Sequence, residues 1–203
     1  SKGVGPLWGG CALSFQGGEL SVFLIRSSFA TVKRWFIYDR DELLAHELCH
    51  VARAPLADKP LEEHFAYQTA KSPLRKHIGN CFQTQLDALL FIVPVFILLG
   101  VQLLNTFTRY DIPSWPFWIL ALAAPAWLLL RNELQLSVIR DAHKALNDAV
   151  CANPGALLFR CTFEETRMIA SFVGSPASLR AKFEELAAKE LRWAVIIRKF
   201  LES

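Results

Sequence analysis

The sequence is poor in charged residues and has no long run of basic ones. Lys and Arg number 22 and Asp and Glu 19, so charged residues make up 20% of the 203 and the formal net charge is +3. Such a mild balance argues against nucleic acid as a partner, because phosphate backbones attract strongly basic surfaces. The 53% of residues in the set AVILMFWYC also excludes a disordered or fibrous chain.

Paired cysteine motifs are absent as well. The five cysteines are odd in number, widely spaced and without a CxxC pair, and they are Cys11, Cys49, Cys81, Cys151 and Cys161. This pattern predicts neither a disulfide framework nor a cysteine-ligated zinc site. We expect reduced thiols, which is consistent with a cytoplasmic location.

The apolar residues are concentrated in two runs, 88–104 and 114–130, and neither contains an ionisable residue. Each run has about 17 residues, the lower limit for a helix that crosses the hydrocarbon core. Because the connection over 105–113 is short, we predict an antiparallel transmembrane hairpin in the lipid bilayer, over residues 86–130. The alternative is a hairpin buried inside a soluble protein. Short spans interrupted by proline also favour packing against a second copy of the chain, as a homo-oligomer.

The basic residues lie outside the hairpin. Six of them flank the two apolar runs, whereas the connection has only one beside an acid; the flanking residues are Lys71, Arg75, Lys76, Arg131, Arg140 and Lys144, and the connection holds Arg109 and Asp111. The positive-inside rule therefore predicts that both ends face the cytoplasm. We expect an integral protein of an inner or plasma membrane.

The residues before the hairpin change from strand to helix patterns. Residues 11–38 contain three stretches rich in β-branched and aromatic residues, which predict a small antiparallel sheet. Asp39 can cap a helix, with Glu42 completing a capping box, and Pro55 ends that helix near Ala54. A second helix is predicted from Pro60. After the hairpin, amphipathic patterns predict helices over 132–151, 163–172 and 178–201. The fold class expected is α+β.

The first helix carries the sequence HELCH at residues 46–50. His46 and His50 are four residues apart, so they project from one helical face and can share a metal ion. Glu47 is turned far enough to reach the metal's water without ligating. The motif therefore predicts a zinc site, with Zn²⁺ as the cofactor and Glu47 as general base.

A catalytic zinc site needs a third protein ligand and an open position. On the second helix Glu63, Ala66 and Tyr67 share a face, and the small Ala66 allows close approach to the first helix. We therefore predict Glu63 as the third ligand. Glu62 lies about 100° away and suits a supporting role, and His64 is an alternative ligand.

HELCH followed by Glu63-x-x-Ala66 resembles the gluzincin branch of zinc metallopeptidases, in which a downstream Glu completes the site, and it is most similar to the minimal versions of that zincin-like fold. The resemblance covers about residues 11–72. A hairpin beside this motif also resembles the HtpX-type membrane peptidases, whose ligand Glu follows the hairpin. In that register Glu164 or Glu165 would be the third ligand. The CAAX-processing proteases fit less well, because Tyr67 stands where their EExxxR motif has Arg.

The resemblance implies an integral-membrane zinc metallopeptidase that acts on peptide or protein substrates. We expect a catalytic domain over residues 1–80, the hairpin over 86–130 and a helical region over 131–203. From their proximity in sequence, Tyr67 or His64 would assist at the substrate carbonyl, and the strand ELSVFLIRS would bind an extended substrate by strand addition. The alternatives are an inactive zincin-like scaffold or regulator and a metal-dependent amidase for a non-peptide substrate.

Overall fold

The computed structural model describes residues 10–15, 20–35, 38–149 and 151–201, and these residues are mostly helical. The strands are β1 (Gly10–Phe15), β2 (Leu20–Ile25), β3 (Arg34–Trp35) and β4 (Tyr38–Asp39). The helices are α1 (Arg40–Arg53), α2 (Lys59–Tyr67), α3 (Pro73–Ile78), α4 (Gln85–Phe107), α5 (Trp115–Asp148), α6 (Pro154–Leu158), α7 (Phe163–Ala170), α8 (Pro176–Ala187) and α9 (Leu191–Phe200).

The predicted antiparallel sheet is confirmed for its first two strands only. β1 pairs with β2 so that Gly10 lies opposite Ile25. The predicted third strand does not join them within the described residues: a 3-10 turn at Ser27–Ala30 buries Phe29, and β3 then pairs only with β4. The strand content is therefore smaller than the α+β prediction implied.

The two apolar runs form helices that pack against each other as a hairpin. α4 and α5 are both long and apolar enough to cross a membrane, and only 22% of the apolar window of each is buried inside the structure. The Asn105 side chain closes the connection, since it donates to the Ile112 carbonyl at 2.7 Å and accepts from the Ile112 amide at 3.0 Å. The exposed apolar surface argues against a hairpin buried within this chain.

The second apolar helix does not end where its hydropathy falls. α5 runs through Leu130 and Arg131 to Asp148 without a break. The helix predicted over 132–151 is therefore confirmed as far as Asp148, but it is continuous with the apolar run, and the expected boundary at 130/131 lies within one helix. No glycine or proline stands near that boundary to stop the helix. The polar half of α5 packs on α7 and contributes the fully buried Ala142 and Leu146 to the C-terminal core.

The C-terminal residues form a helical core around the polar half of α5. The predicted helix near 163–172 is confirmed as α7, with a capping box between Thr162 and Glu165. The helical stretch predicted over 178–201 is confirmed as helical but divides into two helices, because α8 ends at Ala187 and α9 begins at Leu191. This break lets the rings of Phe183 and Trp193 stack at 5.1 Å, both fully buried.

Four of the five cysteines have described side chains, and these four are free thiols: Cys49, Cys81, Cys151 and Cys161. Cys161 is fully buried, and burial raises the pKa of its thiol far above the usual range. Such a thiol is inert at neutral pH. The expectation for Cys11 lies outside the described side chains.

Candidate metal centre

Helix α1 begins at a cap that also ties it to the chain after α2. The Asp39 carboxylate accepts hydrogen bonds from the amides of Asp41 at 3.0 Å and Glu42 at 3.3 Å, as predicted. The Glu42 carboxylate, however, pairs with Arg75 of α3, and Lys71 donates to Asp39 at 2.8 Å. The N-terminal end of the HELCH helix is therefore held by Lys71 and Arg75, two cations from the chain after α2.

Close packing of α2 on α1 brings their polar faces together. Ala66 is fully buried, as is Leu61 on the same helix. The small side chain of Ala66 permits the approach that the sequence predicted, and it places Glu63 opposite the two histidines of α1.

His46, His50 and Glu63 form a group that could hold a metal ion, with donor atoms all within 4.8 Å of one another. The two Nε2 atoms are 3.2 Å apart, and the Glu63 carboxylate oxygens lie 3.7 Å from His46 Nε2 and 3.5 Å from His50 Nε2. Tetrahedral coordination with bonds of about 2.0–2.1 Å requires ligand atoms about 3.3 Å apart. The spacing of this two-nitrogen, one-carboxylate set fits that requirement closely.

Glu62 orients one of the two histidines. Its carboxylate accepts from His50 Nδ1 at 3.1 Å, and this contact raises the pKa of His50. With the proton held at Nδ1, the Nε2 lone pair of His50 faces His46 and Glu63, as a metal ligand must. The supporting role predicted for Glu62 agrees with this geometry.

Burial also changes the pKa values of the other two members of the group, His46 and Glu63. It lowers the pKa of His46 to about 4, so this imidazole is neutral at pH 7 and available as a ligand. Burial raises the pKa of Glu63, since a carboxylate in this position is poorly solvated. A bound cation would offset that cost.

Tyr67 is held against the group by packing. Its ring makes an edge-to-face contact with His46, with ring centres 4.7 Å apart. On its other side lies Gly79, where an added Cβ would stand 2.1–2.6 Å from three ring atoms. Gly79 is thus required for the ring's position, a role that the sequence did not reveal. Burial raises the pKa of Tyr67, so its hydroxyl remains a hydrogen-bond donor at neutral pH.

Two cavities flank His46, His50 and Glu63, which we call the metal group because they could hold a metal ion. Glu47 lines both cavities. The sheet-side cavity, of about 180 Å³, lies among Gly10 of β1, His46, Tyr67 and Arg75. The α4-side cavity, of about 500 Å³, is lined by His50, Lys59, Glu62, Glu63 and residues 83–86 at the start of α4. Glu47 therefore borders both cavities, next to His46 in one and to His50 in the other.

Arg75 is a second residue of the site that sequence reasoning missed as a functional candidate. It lines the sheet-side cavity with Glu47, and its charge helps to lower the pKa of His46. It comes from α3, which carries no motif, so no spacing rule connects it to HELCH.

The remaining ligand candidates lie elsewhere. His64 is buried against Phe65 and lines a different cavity. Glu165 pairs with Arg192 and accepts from Trp193 Nε1 at 2.8 Å, in addition to capping α7. Its neighbour Glu164 is exposed. Among the described residues, the structure brings Glu63 to the histidines and neither of these two.

Removal of the carboxylates of Glu62, Glu63 and Glu165, one at a time, should lower the affinity for Zn²⁺ according to whether each lies beside both, one or neither of the two histidines. Loss of a contact outside the ligand set costs about 10–100-fold in metal affinity, which is the effect we expect for Glu62→Ala. Glu63→Ala should exceed it, and Glu165→Ala should leave the affinity unchanged. Competition with a chromophoric chelator measures all three. Weakened binding in Glu165→Ala with normal binding in Glu63→Ala would instead place the third ligand on α7.

The sequence matches no protein-family model, no curated protein and no solved structure. The function is therefore inferred from the residues themselves and their arrangement.

Proposed function

We propose that the protein is an integral-membrane zinc metallopeptidase with a small zincin-like catalytic domain. The observation that supports this most directly is the His46, His50 and Glu63 group with Glu47 beside it on an open cavity. Two histidines and one carboxylate leave a fourth position open, which is typical of catalytic zinc rather than structural zinc.

The chain's own residues supply the proton transfers and the positioning. Zinc held by this group would lower the pKa of a water towards 7 and polarise a substrate carbonyl. Glu47 accepts the proton of the attacking water at its carboxylate and then delivers it to the leaving nitrogen. Tyr67 presents a hydroxyl that donates to the carbonyl oxygen as negative charge develops there.

The sheet-side cavity suits an extended substrate. Gly10 of β1 lines it, and the absence of a side chain there lets β1 pack closely on Leu24 of β2 and Leu43 of α1 beside the cavity. A substrate strand bound there would gain main-chain hydrogen bonds, the usual basis of strand addition. This assigns the role to β1, whereas the sequence favoured the stretch that forms β2.

The hairpin of α4 and α5 would anchor the catalytic part in the bilayer. Its outward apolar surface supports this, and the basic flanks favour a cytoplasmic position for the metal group. An apolar hairpin with so much exposed surface would also suit pairing with a second copy of the chain.

Removal and return of metal tests the proposal. The protein purified in detergent should contain about one zinc ion per chain, as one described ligand group predicts, and it should hydrolyse a mixed-sequence peptide library. Exhaustive chelation should abolish hydrolysis because no other described group could activate water in the same way, and equimolar Zn²⁺ should restore it. Hydrolysis that persists after the metal has been removed would refute the proposal, as would a protein that binds no zinc.

A further inference from the structure

The metal group and the first turn of an apolar helix face the same space. The α4-side cavity is lined by Glu47, His50 and Glu63 and also by residues 83–86. Leu86 lines this cavity although 73% of its surface is exposed. A substrate bond presented to the metal group from this side would lie next to the beginning of α4.

The beginning of α4 marks where hydrocarbon starts if the hairpin spans a bilayer. The uncharged apolar run begins at residue 88, two residues after Leu86, which is about 3 Å along a helix axis. The polar interfacial layer on each side of the hydrocarbon is about 5–7 Å thick. If the hairpin spans a bilayer, the α4-side cavity would therefore open within this layer and not in bulk water.

A continuous series of contacts fixes the metal group at this level. Tyr67 beside His46 packs on Gly79, and the turn that Gly79 begins ends at Cys81. The Cys81 carbonyl accepts from Arg131 of α5 at 2.8 Å, and Arg131 also donates to both carboxylate oxygens of Asp87 on α4, at 2.8 and 3.0 Å. The site is thus joined to both helices of the hairpin.

The cavity wall on the α4 side is fixed as well. Asp87 accepts from the amides of Gln83 and Thr84 at 2.8 and 2.9 Å, and Thr84 caps the helix in return. The Gln83 side chain donates to Gln135 of α5 at 2.5 Å. Because these residues are held on both sides, the height of the cavity above the hydrocarbon does not depend on a flexible linker.

We infer that the substrates are membrane-anchored polypeptides, cut in the segment that emerges directly from the bilayer. This inference rests on the proposed peptidase function and adds where the cut lies. A chain leaving the hydrocarbon passes through the interfacial layer at the level of the α4-side cavity. The exposed Leu86 at the rim can contact the apolar residues that adjoin a membrane anchor, and the cavity behind it leads to Glu47. A soluble peptide must instead enter the headgroup layer before it reaches the metal group.

The test uses a substrate library in the same bilayer as the enzyme. The full chain is reconstituted with Zn²⁺ in phosphatidylcholine and phosphatidylglycerol vesicles, together with a single transmembrane helix followed by about 30 randomised residues. Mass spectrometry locates the cuts. The same randomised segment without its helix is the soluble comparison, and the Glu47→Gln protein is the blank.

We expect cuts within about six residues of the anchor, a stretch of about 20 Å when extended, to exceed those in the distal ten residues at least tenfold. The soluble library should be cut at least tenfold more slowly. An even distribution of cuts, or equal rates for the two libraries, would overturn the inference and leave the proposed function intact. No cutting of either library would overturn both.

Discussion

Replacement of Glu47 by glutamine is expected to lower peptide hydrolysis by about 10²–10⁴-fold, the usual contribution of a general acid and base. Glutamine retains the size of the side chain that borders both cavities, but its amide does not accept the proton. Glu47 lies outside the ligand group, so the zinc content should remain that of the wild type. Initial rates on the peptide library and elemental analysis of the same sample measure both quantities.

The matched control for this substitution is Glu164→Gln. Glu164 is exposed on α7, so the same change of charge there should leave both rate and metal content as they are. Unchanged hydrolysis in Glu47→Gln would remove the general base from the mechanism. Loss of zinc together with activity would mean that Glu47 supports the metal instead of the proton transfer.

The metal group could be predicted from sequence because its geometry is local. His46 and His50 are one helical turn apart, and Glu63 lies on the next helix after a connection too short to carry it far away. Ala66 predicted the close approach of the two helices, and Ala66 is fully buried. These inferences needed only helical periodicity and side-chain size.

The residues that support the group could not be predicted in this way. Arg75 lies in α3 and pairs with Glu42, and Gly79 begins the turn after α3 and packs on Tyr67. Both contacts exist only after α3 has folded back on α1 and α2. A glycine in a polar sequence predicts a turn. It does not indicate which aromatic ring will occupy the space that its missing side chain leaves.

Helix ends were the least predictable part of the fold. Hydropathy falls at Arg131, but the residues that follow are good helix formers, so α5 continues into the C-terminal core. The opposite error arose at residues 188–190, where no glycine or proline marks the break between α8 and α9. That break is favoured by tertiary packing, the stacking of Phe183 on Trp193, which local sequence does not encode.

The last residue of α1, the helix that carries HELCH, joins this helix to the C-terminal core. Arg53 is fully buried, donates to Asp58 at 2.8 Å and to the Cys161 carbonyl at 3.2 Å, and also bonds the Phe159 carbonyl. Its guanidinium lies over the ring of Phe65 at 4.6 Å. Asp58 in turn accepts from the amide at the start of α7 at 2.9 Å.

Arg53→Met is therefore expected to lower the free energy of unfolding by about 3–5 kcal/mol, because it leaves the buried Asp58 without its cation and removes the hydrogen bonds to the Phe159 and Cys161 carbonyls. The measurement is urea-induced unfolding in detergent micelles, followed by circular dichroism. Arg140→Met is the control, since Arg140 is exposed on α5 and its loss should change stability by no more than about 0.5 kcal/mol. A cost as small as that of the control would show that Arg53 contributes little to stability.

The double variant Arg53→Met, Asp58→Asn separates the ion pair from general packing. Asparagine removes the buried negative charge and can still accept from the α7 amide, so the double variant should be more stable than Arg53→Met alone by at least about 1 kcal/mol. Zinc affinity measured on the same proteins extends the test to the site. Because Arg53 is three residues after His50, a looser end of α1 should weaken the metal group as well. If stability falls while zinc affinity is unchanged, the metal group is held by α2 and α3 alone.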